Sequence, residues 1–246
     1  GPALRRVKRR GALLVALADL GGAWDLDATA AALADLADAA LEAAAAAALA
    51  QERGGPLAGL SPETSGLILL AMGKLGAREL NYSSDIDLIC LFDESRWPQD
   101  DLPEVKARFL AVMRRIVKTL SEVTGEGYVF RTDLRLRPNP ATTPICMAAG
   151  AAEAYYESVG RTWERAAFIK ARAAAGDRAA GARFLEGLTP FVFRRHLDFA
   201  AIEDAHDMRL RIRAHKGLGE RLAIPGHDVK LGLGGIREIE FFAQTQ

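Results

Sequence analysis

Two short apolar runs constrain this chain more than any other feature. Leu67-Ile-Leu-Leu-Ala-Met72 is closed by Gly73, and Asp85-Ile-Asp-Leu-Ile-Cys-Leu-Phe92 becomes continuously apolar after Asp87. Runs this short and unbroken predict strands covered on both faces, which calls for helices layered on a sheet rather than a helical bundle. The rest of the chain supplies helices. Residues 1 to about 53 read as helical, with Asp27 placed to cap an Ala-rich stretch from Ala28 to Ala50 in which Leu33, Leu36 and Leu41 fall near helical spacing. Gly54-Gly55-Pro56 and Ser61-Pro62 form a linker. Lys74 to Leu80 leaves room for a short helix or turn. Pro103 to Val123 is amphipathic, with Val105, Phe109, Val112, Met113, Ile116 and Leu120 on one face. Tyr128 to Leu136 alternates as a third strand, stopped by Pro138 and Pro140. Helices are expected again at 152–159, 162–175, 177–188 and about 199–215. The predicted fold class is α+β, a mixed α/β palm. An N-terminal helical segment occupies 1–58, the palm 59–150, and a helical region 151–246. The last helix is only beginning near Ile236, so the chain reads as a fragment.

Composition narrows the function classes. The 246 residues carry 32 Lys+Arg against 32 Asp+Glu and are 50% apolar, as in a folded rather than a disordered protein. Zero net charge argues against wholesale neutralisation of a nucleic-acid backbone. The two cysteines, Cys90 and Cys146, are too few for a disulfide framework, and none of the four histidines lies at metal-ligand spacing from another. A reducing, cytoplasmic setting is the expectation. The basic stretch Arg5 to Arg10 followed by Gly11-Ala-Leu-Leu-Val-Ala-Leu-Ala18 imitates a signal peptide. Asp19 interrupts it well short of the ~20 residues that span a bilayer, so no membrane segment is expected.

The sharpest local signal is Ser83-Ser84-Asp85-Ile86-Asp87. Side chains alternate along a strand, so Asp85 and Asp87 point to one face, within reach of a shared cation. A lone pair of this kind is commonly a solvated strand end. Here the same face continues as Ile89 and Leu91, which places the acids at the mouth of a covered strand, and hard oxygen donors there suit Mg²⁺. On the third strand Arg131, Asp133, Arg135 and Arg137 share a face. They are either a self-satisfied exposed edge or a third carboxylate among phosphate-binding arginines. Gly73-Lys74 sits in a strand-to-helix turn where glycine admits close approach and a helix start favours an anion. It is no Walker A loop, since Leu75 stands where Ser or Thr would meet Mg²⁺, and Gly232-x-Gly234 fails as a dinucleotide fingerprint. Trp163, Lys170 and Arg172 fall on one expected helix, where Trp163 reads as core or as a base-stacking platform.

In this order the pieces resemble nucleotidyltransferases of the DNA polymerase beta type. More closely, Met72-Gly-Lys-Leu-Gly-Ala-Arg-Glu-Leu-Asn-Tyr-Ser-Ser-Asp-Ile-Asp-Leu88, Asp133-Leu-Arg-Leu-Arg-Pro138, Trp163-Glu-Arg165 with Lys170-Ala-Arg172, and Gly234-Gly-Ile-Arg-Glu-Ile-Glu-Phe241 resemble the bifunctional glutamine synthetase adenylyltransferase/adenylyl-removing enzymes. Pro190-Phe-Val-Phe-Arg-Arg-His-Leu-Asp-Phe199 and the Arg-Glu at 237–238 are similar to the N-terminal, adenylyl-removing half. The resemblance implies removal of AMP from a tyrosine of adenylylated glutamine synthetase, with phosphate entering and ADP leaving. It implies Asp85, Asp87 and Asp133 as Mg²⁺ ligands, and Gly73, Lys74, Ser84, Arg135 and Arg137 as nucleotide or phosphate contacts. The reverse-direction alternative is ATP-driven adenylylation at the same metals. A non-catalytic module that docks glutamine synthetase or a PII-type signal protein is the third. One departure stands out: relatives have a glycine-containing loop after Arg137-Pro138, whereas this chain reads Asn139-Pro-Ala-Thr-Thr-Pro144.

Overall fold

A computed structural model describes residues 1–193, Leu210, Ala214, Gly217 and residues 225–245. The helix expected at about 199–215 and most of the 190–199 motif lie outside the described residues. Residues 1–159 and 170–189 form one compact unit, which contains the sheet; residues 160–169 and 190–246 cluster as a second.

The first unit opens with α1 (Pro2–Leu20) and α2 (Leu26–Leu49). The cap of α2 is Asp25, not Asp27: its carboxylate accepts the Ala28 N–H at 2.8 Å, and Asp27 lies inside the first turn. Strand β1 (Leu67–Ala71) is followed by a single helical turn, α3 (Gly73–Gly76), then β2 (Ile86–Phe92), α4 (Leu102–Ser121), β3 (Thr132–Asp133), β4 (Met147–Ala148), α5 (Ala149–Val159), β5 (Arg172–Gly176) and α7 (Arg178–Gly187). The label α6 belongs to Thr162–Phe168 in the second unit, and α8 (Thr189–Val192) follows α7.

The sheet runs β3-β2-β1-β5. Strand β1 is antiparallel to both β2 and β5. The outer edge of β2 is shared: β3 pairs parallel with its first residues, and β4 pairs parallel with its last two. Both faces of the central strands are covered, as unbroken apolar runs require. Leu67, Leu69, Ala71, Ile86, Leu88, Cys90 and Phe92 join one core with residues of α2 and α4. Helices α5 and α7 pack on the sheet as well, with Gly181 of α7 set close over Ile68. Phe109 of α4 stacks on Phe92 with ring centroids 5.0 Å apart. The two cysteines are free and buried; burial, then the hydrogen bond to Cys146, pushes the Cys90 thiol well up, which makes it a packing residue. No helix among the described residues is long and apolar enough to cross a membrane.

Two expected elements are corrected. The helix foreseen at 162–175 ends at Phe168, and Arg172-Ala-Ala-Ala-Gly176 is strand β5. Alanine favours helix locally, but here its value is size: Ala174 and Ala175 lie in the core beside the alanines of α2, and a Cβ on Gly181 would come within 2.7 Å of that of Ala173. Arg172, placed by sequence beside Trp163 on a helix, instead grips both oxygens of Asp38 on α2 (2.6 and 2.8 Å) and the Leu75 carbonyl of α3 (3.1 Å). The third strand is likewise two residues long rather than nine. Val129 and Phe130 are both buried, with their N–H groups on the Leu120 carbonyl at the end of α4, so alternation fails there. After Asp133 its own carboxylate captures the Arg135 N–H at 2.8 Å and curls the chain out of the sheet.

In the second unit, the Glu164 carboxylate accepts the Arg161 N–H at 2.8 Å where α6 begins. Helix α9 (Ile236–Thr245) is entered through a turn in which Asp228 accepts the N–H groups of Lys230 and Leu231, both at 2.9 Å.

Because Phe109 is fully buried against Phe92, Phe109→Ala is expected to cost about 3–5 kcal/mol of unfolding free energy, read as a lower urea midpoint at unchanged slope.

Candidate active site

The sheet places Asp87 and Asp133 directly opposite each other. Parallel pairing sets Ile86 against Thr132 and Asp87 against Asp133, and partners in register project to the same face. Thr132 faces the other way, held to Ser121 of α4 by its hydroxyl (2.9 Å) and its N–H (3.2 Å). Gly73 lies beside this pair with φ of 52°, and a Cβ there would sit 2.9 Å from Asp87 Oδ2. Glycine thus lets the β1–α3 turn close against the carboxylate. Lys74 on the same turn is exposed and forms no ion pair among the described residues. Helix α3 has only four residues, so the anion-favouring field expected of a helix start is that of one turn. The Ser84 hydroxyl donates to Asn81 Oδ1 at 2.5 Å.

Asp85 precedes β2 and is half-exposed. Its Oδ1 receives both Nε (2.7 Å) and Nη2 (2.6 Å) of Arg131. Arg135 instead engages both oxygens of Asp133, with Nε at 3.0 and 2.9 Å and Nη2 at 2.5 Å. These bonds hold the Asp133 carboxyl below the usual carboxylate range. Arg135 is pushed up by the same bond and by the fields of Asp133, Asp87 and Asp85, so one guanidinium answers to all three carboxylates. Arg137 is spent elsewhere. Its donors all go to carbonyls of its own loop, Leu134 (2.7 Å), Pro140 (2.8 Å) and Thr143 (3.3 and 3.2 Å), and burial pushes its guanidinium down. Asn139 in that loop has φ of 36°, supplying the left-handed backbone for which glycine is the usual choice. The structure therefore brings together Gly73, Asp87, Asp133 and Arg135, binds Asp85 to Arg131, leaves Lys74 exposed on the turn, and ties Ser84 and Arg137 to groups of their own loops.

Comparison with known sequences places this geometry. Residues 2–187 match the family model described as glutamate-ammonia ligase adenylyltransferase. The chain belongs to that family. Residues 206–246 also match the model described as GlnD PII-uridylyltransferase. The bifunctional glutamine synthetase adenylyltransferase/adenylyl-removing enzyme of Rhizobium meliloti is 55% identical over 99% of this chain, that of Agrobacterium fabrum 54%, and that of Bradyrhizobium sp. strain ORS 278 52%, each over the same share. The chain spans about 25% of the length of these relatives.

The donor chemistry fits the divalent cation that the family resemblance implies. Asp87 and Asp133 offer hard oxygens from paired positions, and Asp85 Oδ2 carries no hydrogen bond from Arg131. Among the described residues, however, no three His, Cys, Asp or Glu side chains are drawn together tightly enough to hold a metal. Arg131 and Arg135 balance the acids in this arrangement.

Sequence reasoning set Arg131 among the arginines of the third strand without its bond to Asp85, and it missed the parts played by Asn81 and Tyr82. Tyr82 lies in the turn before Asp85 and donates its hydroxyl to Asp19 of α1 at 2.6 Å, which raises its phenol to about 12. Nothing in the sequence links residues 63 positions apart. The fold favours the neutral phenol, so the contribution of this bond is complete below the ordinary tyrosine value of ~10 and is lost as pH rises through about 12. Ultraviolet titration is expected to show late ionisation of Tyr82 that returns toward ~10 in Asp19→Asn.

Proposed function

We propose that this chain carries the adenylyl-removing chemistry of its relatives, phosphorolysis of the adenylyl-tyrosine bond of glutamine synthetase. The observation that carries the reading is the in-register pair Asp87 and Asp133 with Gly73 closed against it and Arg135 across it. Phosphoryl-type transfer needs positioning and charge neutralisation more than covalent catalysis. A phosphate oxygen attacks the adenylyl phosphorus, the bond to the tyrosyl oxygen breaks, and ADP and the phenolate form. A phenol of ordinary pKa ~10 leaves with little proton donation, which suits a site built from carboxylates, arginine and lysine.

Asp87 and Asp133 would hold Mg²⁺, with Asp85 the further ligand that the family resemblance implies, in a palm of the polymerase beta type. Held there, such an ion would supply charge neutralisation to the transferring group. Arg135 and Lys74 serve the phosphate: Arg135 has an 84% exposed side chain on a flexible stem, and Lys74 stands unpaired among the described residues at the mouth of the turn. Gly73 keeps the backbone low enough for a phosphate to reach the acids. The similarity of 190–199 and 237–238 to the N-terminal half of the relatives supports removal of AMP over its addition. Adenylylation from ATP would use the same acids.

Incubation of the chain with adenylylated glutamine synthetase, Mg²⁺ and phosphate is expected to release ADP, and none without phosphate. Asp87→Asn should lower the rate by ~10²-fold or more, since it removes a charge that acts in the transition state. Incorporation of AMP from ATP, with no phosphate-dependent ADP, would assign the opposite direction.

A further inference from the structure

We infer that Arg172 and Asp38 are a positioning pair: they hold the β1–α3 turn against Asp87 and so set the room in which an incoming phosphate meets Gly73, an inference that rests on the reading of the site given above. Helix α3 is a single turn of four residues, too short to be stable on its own hydrogen bonds. Its place has to come from what it touches. Arg172 stands in register opposite Ala71, the last residue of β1, where the chain leaves the sheet for the turn. From there its Nη2 donates both to the Leu75 carbonyl of the turn (3.1 Å) and to Asp38 Oδ1 (2.8 Å), while Nη1 donates to Asp38 Oδ2 (2.6 Å). One guanidinium thus ties the turn to α2. Asp38 is a firm anchor because Ala37 and Leu41 beside it are fully buried in the core. At the near end of the same turn, two residues before Leu75, Gly73 comes so close to Asp87 that a Cβ would stand 2.9 Å from Oδ2. A shift at Leu75 is therefore felt at Gly73.

A neighbouring pair supplies the contrast. Arg78, just past the turn, meets Asp35 of α2 at 2.7 Å, but these side chains are 44% and 62% exposed, where water leaves an ion pair little net worth. The side chains of Arg172 and Asp38 are 24% and 12% exposed, and the guanidinium engages both carboxylate oxygens, a geometry that fixes position as well as charge. Lysine is no substitute, because a single ammonium cannot reproduce the planar fork that serves two carboxylate oxygens and a carbonyl. The hydrogen bonds of Arg172 go to Asp38 and to the turn, so its effect on the chemistry passes through Gly73.

Arg172→Lys and Asp38→Asn separate positioning from a general part in the fold. The Gly76 and Ala77 amides bond to the Met72 and Gly73 carbonyls at 3.0 Å; in both variants they are expected to lose protection from hydrogen exchange while those within α4 keep theirs. In the phosphate-dependent release of ADP, the KM for phosphate is expected to rise ~10-fold, with kcat and the KM for adenylylated glutamine synthetase within ~2-fold of their starting values. Asp38→Glu, which keeps a carboxylate for the fork, should recover part of the loss, and Asp35→Asn should change none of these quantities. Should Arg172→Lys fail to fold by circular dichroism, the milder Asp38→Asn decides. Protection that is unchanged or lost evenly along the chain, or a phosphate KM unchanged in variants whose turn has loosened, would overturn the positioning role and leave the reading of the site standing. Absence of phosphate-dependent ADP from the unaltered chain would overturn that reading and this inference with it.

Discussion

The site depends on two residues of parallel pairing. Asp87 and Asp133 are brought side by side only because Ile86–Asp87 and Thr132–Asp133 share a short ladder, and like charges in register repel. The surroundings are arranged to hold that ladder closed. Ser121 of α4 bonds Thr132 from the opposite face, the Leu120 carbonyl takes the N–H groups of Val129 and Phe130, and Arg135 lies across the acids. A terminal carbonyl of α4 that would otherwise go to solvent is used to dock the incoming strand. Packing in the α4 layer and charge at the sheet edge are therefore one problem with one solution.

The other side of the sheet solves a problem of distance. For Gly73 to press against Asp87, β1 has to emerge with its turn held down, and Arg172 does this by linking the Leu75 carbonyl to Asp38 on α2. That link is short only if α2 and β5 lie close, and alanines make them so. Gly76 belongs to the same closure, since a Cβ there would collide with the Lys170 and Ala71 carbonyls. Small residues far apart in the sequence act together on the placement of one turn.

What could be read in the sequence follows from whether its cause is local. Strands β1 and β2 were legible because an unbroken apolar run has few other uses, and α4 because its apolar residues recur at helical spacing. The carboxylates Asp85 and Asp87 stood out for the same reason, as charges at the entrance of a run that has to be buried. Strand β5 was hidden because Arg172-Ala-Ala-Ala-Gly176 has the local preference of a helix, and only pairing with β1 overrides it. The third strand was overread because alternation cannot reveal that the Asp133 carboxylate will capture the Arg135 N–H and end it. The bond of Tyr82 to Asp19 has no local cause at all.

The arginines of the third strand show most clearly where pattern stops and physics begins. Arg131, Arg135 and Arg137 occupy alternate positions and are indistinguishable by periodicity, yet their environments divide them. Arg137 has exchanged water for three carbonyls of its own loop, and moving it would give up all of those bonds. Arg131 is bound to two side chains and a carbonyl, so its geometry is fixed. Arg135 has an 84% exposed side chain, and although its bonds to the 16% exposed Asp133 are short, solvent screens a pair of that kind. Of the two that hold a carboxylate, Arg135 is the one that can leave it cheaply, which is what the proposed reaction asks of a residue that meets an incoming phosphate. The three cations are graded, from fixed to free, although their spacing along the sequence is uniform.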